Sequence, residues 1–185
     1  MNAQLDQPEA LAVGDIDHAD LRRLHRYWLS KRGGRAFPAR ADIDPTEIPT
    51  LLPHVLLVDV LDGGQRFRFR LVGTAVARGR DPTGRFLHEA APKGLYGHHI
   101  IALYNQAIQL GLPYYTEFSY ESASRGGPAS IRRLFLPLAE DGSEINMLLI
   151  GQVAESPAAI QYTAWELPPE RFRAEQLVVV EAGPT

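Results

Sequence analysis

The first regular hydrophobic pattern along the chain is helical and starts near Asp17. Side chains that share one face follow the spacing i, i+3, i+4, i+7, at Leu21, Leu24, His25 and Trp28. Asp17 is the predicted N-cap of this helix, and Gly33-Gly34 is a stop signal after it. The pattern therefore predicts one amphipathic helix between these two points.

Two runs typical of β-strands come next. Residues 55–61 are rich in valine and leucine, 62–64 supply Asp-Gly-Gly turn residues, and 66–72 alternate arginine with apolar residues. Strand side chains point to alternate faces, so the second run predicts a core face and an outer face. The core face is Phe67, Phe69 and Leu71; the outer face is Arg66, Arg68 and Arg70.

The remainder of the central region predicts a pocket wall, a long helix and three more strands. Glycines and prolines interrupt residues 73–97, which leaves room only for short helical turns beside a pocket. A helical pattern covers 98–110, and strand patterns cover 114–121, 130–139 and 144–154. This order predicts an α+β fold with an antiparallel sheet and helices on one face, plus the N-terminal amphipathic helix.

The domain boundaries follow from the same patterns. Residues 1–16 have no usable period and are expected to form a flexible N-terminal tail. Residues 17–154 are expected to form a single domain, and 155–185 a C-terminal extension. The β-branched run 178–180 in that extension suits either an extra strand or a dimer contact.

Composition narrows the class of protein. The chain has 185 residues with 19 Lys and Arg against 22 Asp and Glu, a net charge of −3, which does not favour nucleic acid as a general partner. It has no cysteine, so thiol catalysis, zinc–thiolate sites and a cysteinyl–flavin adduct are excluded. No apolar run is long enough for a membrane helix, and the N-terminus lacks the basic region of a secretory signal. We expect a cytoplasmic protein.

A string of short motifs resembles a bacterial family of PAS-like proteins that is common in alphaproteobacteria. The resemblance covers about residues 21–153, and it implies a five-stranded antiparallel sheet of order 2-1-5-4-3 with flanking helices. Pro82 departs from the family pattern, which has an aliphatic residue before Thr-Gly-Arg. The matching motifs are Tyr27-Trp28, residues 35–40, 42–45, 52–53, 57–60 and 67–74, and the Asp81 to Arg85 segment.

Catalytic and metal chemistry find little support. No histidine pair has metalloprotease spacing, and no serine lies in a nucleophile-elbow motif. His98 or His99 could serve as a haem ligand, since some PAS domains bind haem through the long helix, but surface or helix-start histidines are the preferred interpretation. We therefore expect a protein that is not an enzyme, with an unknown cofactor and a small organic ligand left open.

The apolar side chains give the best functional clue. A PAS-type fold often leaves a cavity between the sheet and its helices, which suits a small organic molecule, although a completely filled core is an equal alternative. The predicted partner or dimer surface is the helix face of Leu21, Leu24 and Trp28. The predicted ligand-binding residues are Phe69, Leu71, Arg85, Tyr104, Ile108, Phe118, Phe135, Met147 and Leu149.

The arginine stripe at 66, 68 and 70 has two interpretations. It could bind an acidic partner through bidentate contacts, or it could be a solvated strand face paired with Glu117 and Glu121, which is the preferred interpretation. The leading hypothesis is a PAS-type sensory or regulatory domain that binds a small ligand and signals through protein–protein contact. The alternative is a ligand-free PAS-like interaction or dimerisation module.

Overall fold

The computed structural model describes residues 9–77, 81–91, 93–122, 127–154 and 176–180. Its strands are β1 (Glu9–Leu11), β2 (Val55–Leu61), β3 (Arg66–Val72), β4 (Tyr114–Ser122), β5 (Gly127–Leu138), β6 (Met147–Ala154) and β7 (Gln176–Val180). Its helices are α1 (Ala19–Lys31), α2 (Thr74–Ala77), α3 (Leu87–Ala90) and α4 (Leu95–Leu110). Several single 3₁₀ turns connect them.

The strands form one seven-stranded sheet of order β1-β7-β4-β5-β6-β2-β3. Within it, β2 to β6 are antiparallel neighbours and keep the order 2-1-5-4-3 when counted from β2, which confirms the predicted fold. The sheet is wider than predicted, because β7 pairs with β4 and β1 pairs in parallel with β7. The run 178–180 is thus part of a strand, and the segment expected to be a flexible tail contains β1 and the buried Ile16.

Helix α1 covers one face of the sheet, which we call the α1 face. Leu21, Leu24 and Trp28 pack there against a cluster of mostly aliphatic residues from β2, β5 and β6. Asp17 does not cap the helix as predicted: His18 is the N-cap, and its Nδ1 accepts the Asp20 N–H at 3.3 Å.

Helices α3 and α4 cover the opposite face, which we call the α4 face. Tyr104, Leu103 and Ala107 of α4 pack against β3, β5 and β6 there. The helices therefore lie on both faces of the sheet, because successive side chains of the central strands are buried on alternate sides and each side needs a cover. Gly111 ends α4 with a left-handed backbone at φ +58°.

Strand β3 departs from simple alternation at its C-terminal end. Leu57 pairs with Leu71 and the next residue, Val58, pairs with Phe69, so Arg70 is an extra residue in a β-bulge. Gly73 follows the strand at a point where a Cβ would lie 2.3 Å from the Leu52 carbonyl oxygen. The chain can pass there only with glycine.

No helix in the described ranges has the length and hydropathy needed to cross a membrane.

Candidate functional site

The α4 face brings together five of the nine predicted ligand-binding residues. Phe69 and Phe135 extend from the sheet, Tyr104 and Ile108 extend from α4, and Phe118 lies further along β4 beneath the start of that helix. Phe69, Tyr104, Phe118 and Phe135 are buried. These five side chains therefore share one face of the sheet, as predicted, and their role in ligand binding stays a prediction.

Aromatic rings occupy the space between α4 and the sheet. The Tyr104 ring centroid lies 5.4 Å from that of Phe67 and 5.3 Å from that of Phe135, both in edge-to-face geometry. Tyr114 continues the row at 5.6 Å from Phe135. These separations are those of rings in direct contact, so no ligand-sized gap lies along this row.

One end of the α4 face is polar. The Arg133 guanidinium is buried and donates to the Tyr96 hydroxyl and to the Gln152 side-chain oxygen, each at 2.9 Å. The rings of Tyr96 and His99 lie 5.5 and 5.8 Å from the Phe118 ring and close this end. Burial raises the pKa of Tyr104, whose hydroxyl therefore stays protonated at any physiological pH.

The other four predicted ligand-binding residues lie elsewhere, which corrects the expectation of a single converging set. Leu71 packs on the α1 face because the bulge at Arg70 reverses its direction. Met147 and Leu149 also belong to the α1 face, since β6 is apolar on both sides and its sequence gives no parity signal. Arg85 is exposed and donates to the Glu89 carbonyl oxygen at 2.8 Å.

The predicted partner surface on α1 is also corrected. Leu21, Leu24 and Trp28 are each at most 2% exposed, and the Trp28 indole donates to the Pro137 carbonyl oxygen at 2.8 Å. Gly151 lets the two leucines approach the sheet, since a Cβ there would lie 2.7 to 2.8 Å from their methyl groups. These side chains hold α1 to its own sheet and do not form an exposed surface.

A charged cleft lies on the α1 side of the sheet, beyond the end of α1. The sequence analysis did not predict it. It has an open volume of about 490 Å³, and its lining includes Met147 and Leu61. We call it the arginine cleft, after its charged residues, which are Arg40, Asp59, Arg68, Arg70 and Glu140.

Asp59 organises one wall of the arginine cleft. Its carboxylate accepts from the Nε and Nη2 of Arg68 at 3.1 and 2.9 Å, and Arg70 Nε lies 3.4 Å from its other oxygen. The stripe is thus paired within its own hairpin and not with Glu117, which instead forms an ion pair with Arg132. The signal available in the sequence was Asp59 itself, one charged residue inside the apolar run 55–61.

The loop before β2 is fixed by side-chain contacts. Arg35 pairs with Asp42, whose carboxylate also accepts the Ala39 N–H at 2.7 Å, and these bonds lower the pKa of Asp42. Arg40 donates to the Ile43 carbonyl oxygen at 2.9 Å. These contacts give the loop a structural role and fix the position of Arg40.

The described ranges contain no group of three histidine, aspartate or glutamate side chains placed to hold a metal ion. His98 at the start of α4 is exposed and His99 is half-buried against Phe118. His25 is fully buried on α1 beside Trp28.

Comparison with known families matches residues 16–153 to a family described as PAS domain. The match covers α1 and the five central strands, and leaves β1 and β7 outside it. No curated protein and no solved structure matches the chain.

Proposed function

We propose that this chain, which belongs to the PAS-domain family, is a regulatory module that acts through protein–protein contact and has a filled core in place of a ligand pocket. PAS domains are sensory or regulatory modules. The observation that carries the choice between a filled and a ligand-binding domain is the row of contacting rings from Phe67 through Tyr104 and Phe135 to Tyr114.

The packing of the α4 face supports a filled core. Tyr104 and Phe135 are buried, and Ala107 lets α4 lie close to the sheet. A pocket for an organic molecule of ordinary size needs several hundred Å³, which would require these rings to move apart. Two open clefts outlined by described residues lie on other surfaces of the domain. Regulation by contact with another protein is therefore the simpler function for this domain.

Ligand binding at the polar end of the α4 face is the second candidate. The buried Arg133 and Tyr96 and the half-buried Gln152 form a hydrogen-bonded group there, beside the aromatic rings of Phe118 and His99. Such a group can orient a polar atom of a ligand next to an apolar surface. This candidate requires a displacement of α4, since the rings beside it are in contact.

Native mass spectrometry of the tagged chain, isolated under mild conditions from its cell of origin, separates these candidates. We expect a complex with a protein partner or a second copy in whole-number ratio, and no small molecule that is lost on denaturation. A small-molecule mass would contradict the filled core and favour the second candidate. A bare monomer would contradict action through protein contact.

A further inference from the structure

The arginine cleft combines three guanidinium groups from two parts of the chain. Arg68 and Arg70 come from β3 at the edge of the sheet, and Arg40 comes from the loop before β2. The acidic groups that face them are Asp59 on β2 and Glu140 on the turn after β5. Three positive and two negative side chains leave the cleft positive, in a chain whose net charge is −3.

Asp59 does not account for all of this positive charge. Its carboxylate is nearly buried and is already held by two hydrogen bonds from Arg68, which is enough to neutralise it. Arg70 therefore adds a second positive charge beside an already paired acid. Arg40 adds a third, so the cleft keeps one net positive charge after Glu140 is counted. Among the described residues, Arg40 donates to the Ile43 carbonyl oxygen.

The guanidinium groups are both anchored and accessible. The side chains of Arg68 and Arg70 are 43% and 54% exposed, although each has one edge against Asp59. A guanidinium has five N–H donors, so each retains donors beyond those used in these contacts. Anchoring lowers the entropy lost when such a group binds a carboxylate, whose two oxygens match the guanidinium fork.

We propose that the arginine cleft is the docking site for an acidic segment of a partner protein, with carboxylate side chains bound by Arg40 and Arg70. Charge complementarity selects this occupant: an open cleft with half-exposed arginines binds a single small anion weakly, whereas a segment with several carboxylates engages the arginines together. Apolar parts of the segment would lie against the half-buried Leu61. This inference names the partner chemistry for the proposed function and rests on it.

Fluorescence anisotropy with the full chain tests the cleft directly. The probe is a fluorescein-labelled peptide of alternating Glu and Leu, and its control has Gln in place of Glu. At about 50 mM salt we expect only the acidic peptide to bind, because surface charges are little screened there. Arg40→Gln and Arg70→Gln should each weaken binding at least about fivefold, in the range of a lost charged contact.

Arg66→Gln is the matched control, because Arg66 lies on the same strand but pairs with Asp62 outside the cleft. Binding to this variant should equal binding to the wild type. Arg70→Gln leaves Asp59 bonded to Arg68, so the fold is retained, and a circular dichroism spectrum identical to wild type checks this. Arg70→Lys should bind the peptide better than Arg70→Gln but less well than the wild type, because lysine lacks the forked pair of guanidinium donors.

Two results would overturn the cleft proposal. One is absence of acidic-peptide binding, which together with citrate binding at the cleft would indicate a small-anion site. The other is equal weakening of peptide binding by Arg66→Gln. Native mass spectrometry then separates this failure from failure of the proposed function. A partner that stays bound to the Arg40→Gln and Arg70→Gln variants contradicts the cleft alone, whereas a wild-type chain with no partner contradicts regulation by protein contact.

Discussion

The two faces of the sheet are filled by different kinds of side chain. Under α1 the cluster is mainly leucine, isoleucine and valine, with Trp28 as its largest member. Under α4 a row of aromatic rings takes most of the space, and a buried arginine, Arg133, stands at one end. Both faces are close-packed, so truncating a large buried side chain on either face should leave a cavity.

The two faces of the sheet have different roles in the domain. The α1 face is where the N-terminal helix is held to the sheet, by burial of Leu21, Leu24 and Trp28. The α4 face is where a PAS-type fold can hold a ligand, and here contacting rings close it. Helices thus cover both faces of the sheet, and the arginine cleft lies beside the edge strand β3.

Trp28→Ala, which changes the α1 face, should lower the free energy of unfolding most. It removes a ring that is 1% exposed together with its hydrogen bond to the Pro137 carbonyl oxygen. We expect the free energy of unfolding to fall by about 3–5 kcal/mol in a urea titration. Leu112→Ala removes an exposed side chain and should change it by less than about 0.5 kcal/mol. Similar small effects for both variants would contradict a structural role for Trp28.

Phe135→Ala probes the α4 face. The ring contacts both Tyr104 and Tyr114, so its loss should cost about 3–4 kcal/mol and leave an apolar cavity. That cavity should bind benzene, seen as a benzene-dependent rise in the unfolding midpoint of the variant but not of the wild type. If benzene stabilises the wild type as well, a cavity already exists and the face is not filled.

His25 gives the α1 face a pH dependence. Burial lowers its pKa from 6.5 to about 4, and neither ring nitrogen has a hydrogen-bond partner among the described residues. The unfolded chain therefore binds more protons between these values, so stability should fall as pH drops from about 6.5 towards 4, by up to about 3 kcal/mol. Carboxylates such as Asp42 also lose stabilisation at low pH.

A His25→Phe variant isolates the histidine contribution. It retains the carboxylates, so the difference between the two pH profiles reports His25 alone. We expect this difference to grow as pH falls below about 6.5 and to level off near 4. Parallel profiles across that window would show that His25 is not held neutral by the fold.

Of the four changes, at Trp28, Phe135, His25 and Gly151, Gly151→Ala should lower the free energy of unfolding least. The new methyl group would lie 2.7 Å from Leu21 and 2.8 Å from Leu24, both flexible side-chain ends that can move. We expect a loss of about 1–2 kcal/mol in thermal or urea unfolding. Gly14→Ala is the control, because no atom lies within 4 Å of its would-be Cβ. A neutral Gly151→Ala would mean that α1 packs more loosely than its burial indicates.

The sequence predicted the helices and strands better than it predicted the face of the sheet on which each side chain lies. The bounds of β2 and β3 and the existence of α1 follow from periodicity and turn residues, which are local signals. Leu71 was assigned to the wrong face because the bulge at Arg70 depends on pairing with β2, which alternation cannot reveal. Met147 and Leu149 were misplaced since β6 is buried on both sides.

The candidate site was predictable only in part. Tyr104 and Phe135 share a face because each lies on the core side of its own element, and periodicity identifies that side. Whether their rings fill the space depends on the distance between α4 and the sheet. Residue spacing in the sequence does not give that distance. The arginine cleft joins Arg40 to Arg68 across a loop and a strand, and only the folded chain brings them together.

A crystal structure of the full chain, purified without added ligand, tests the filled α4 face most directly. We predict electron density for the Tyr104 ring edge-on to Phe135 and in contact with Phe67, with no density for another molecule between α4 and the sheet. Density for a bound molecule in that layer, with the rings displaced around it, would show that the α4 face is a ligand pocket and not a filled core.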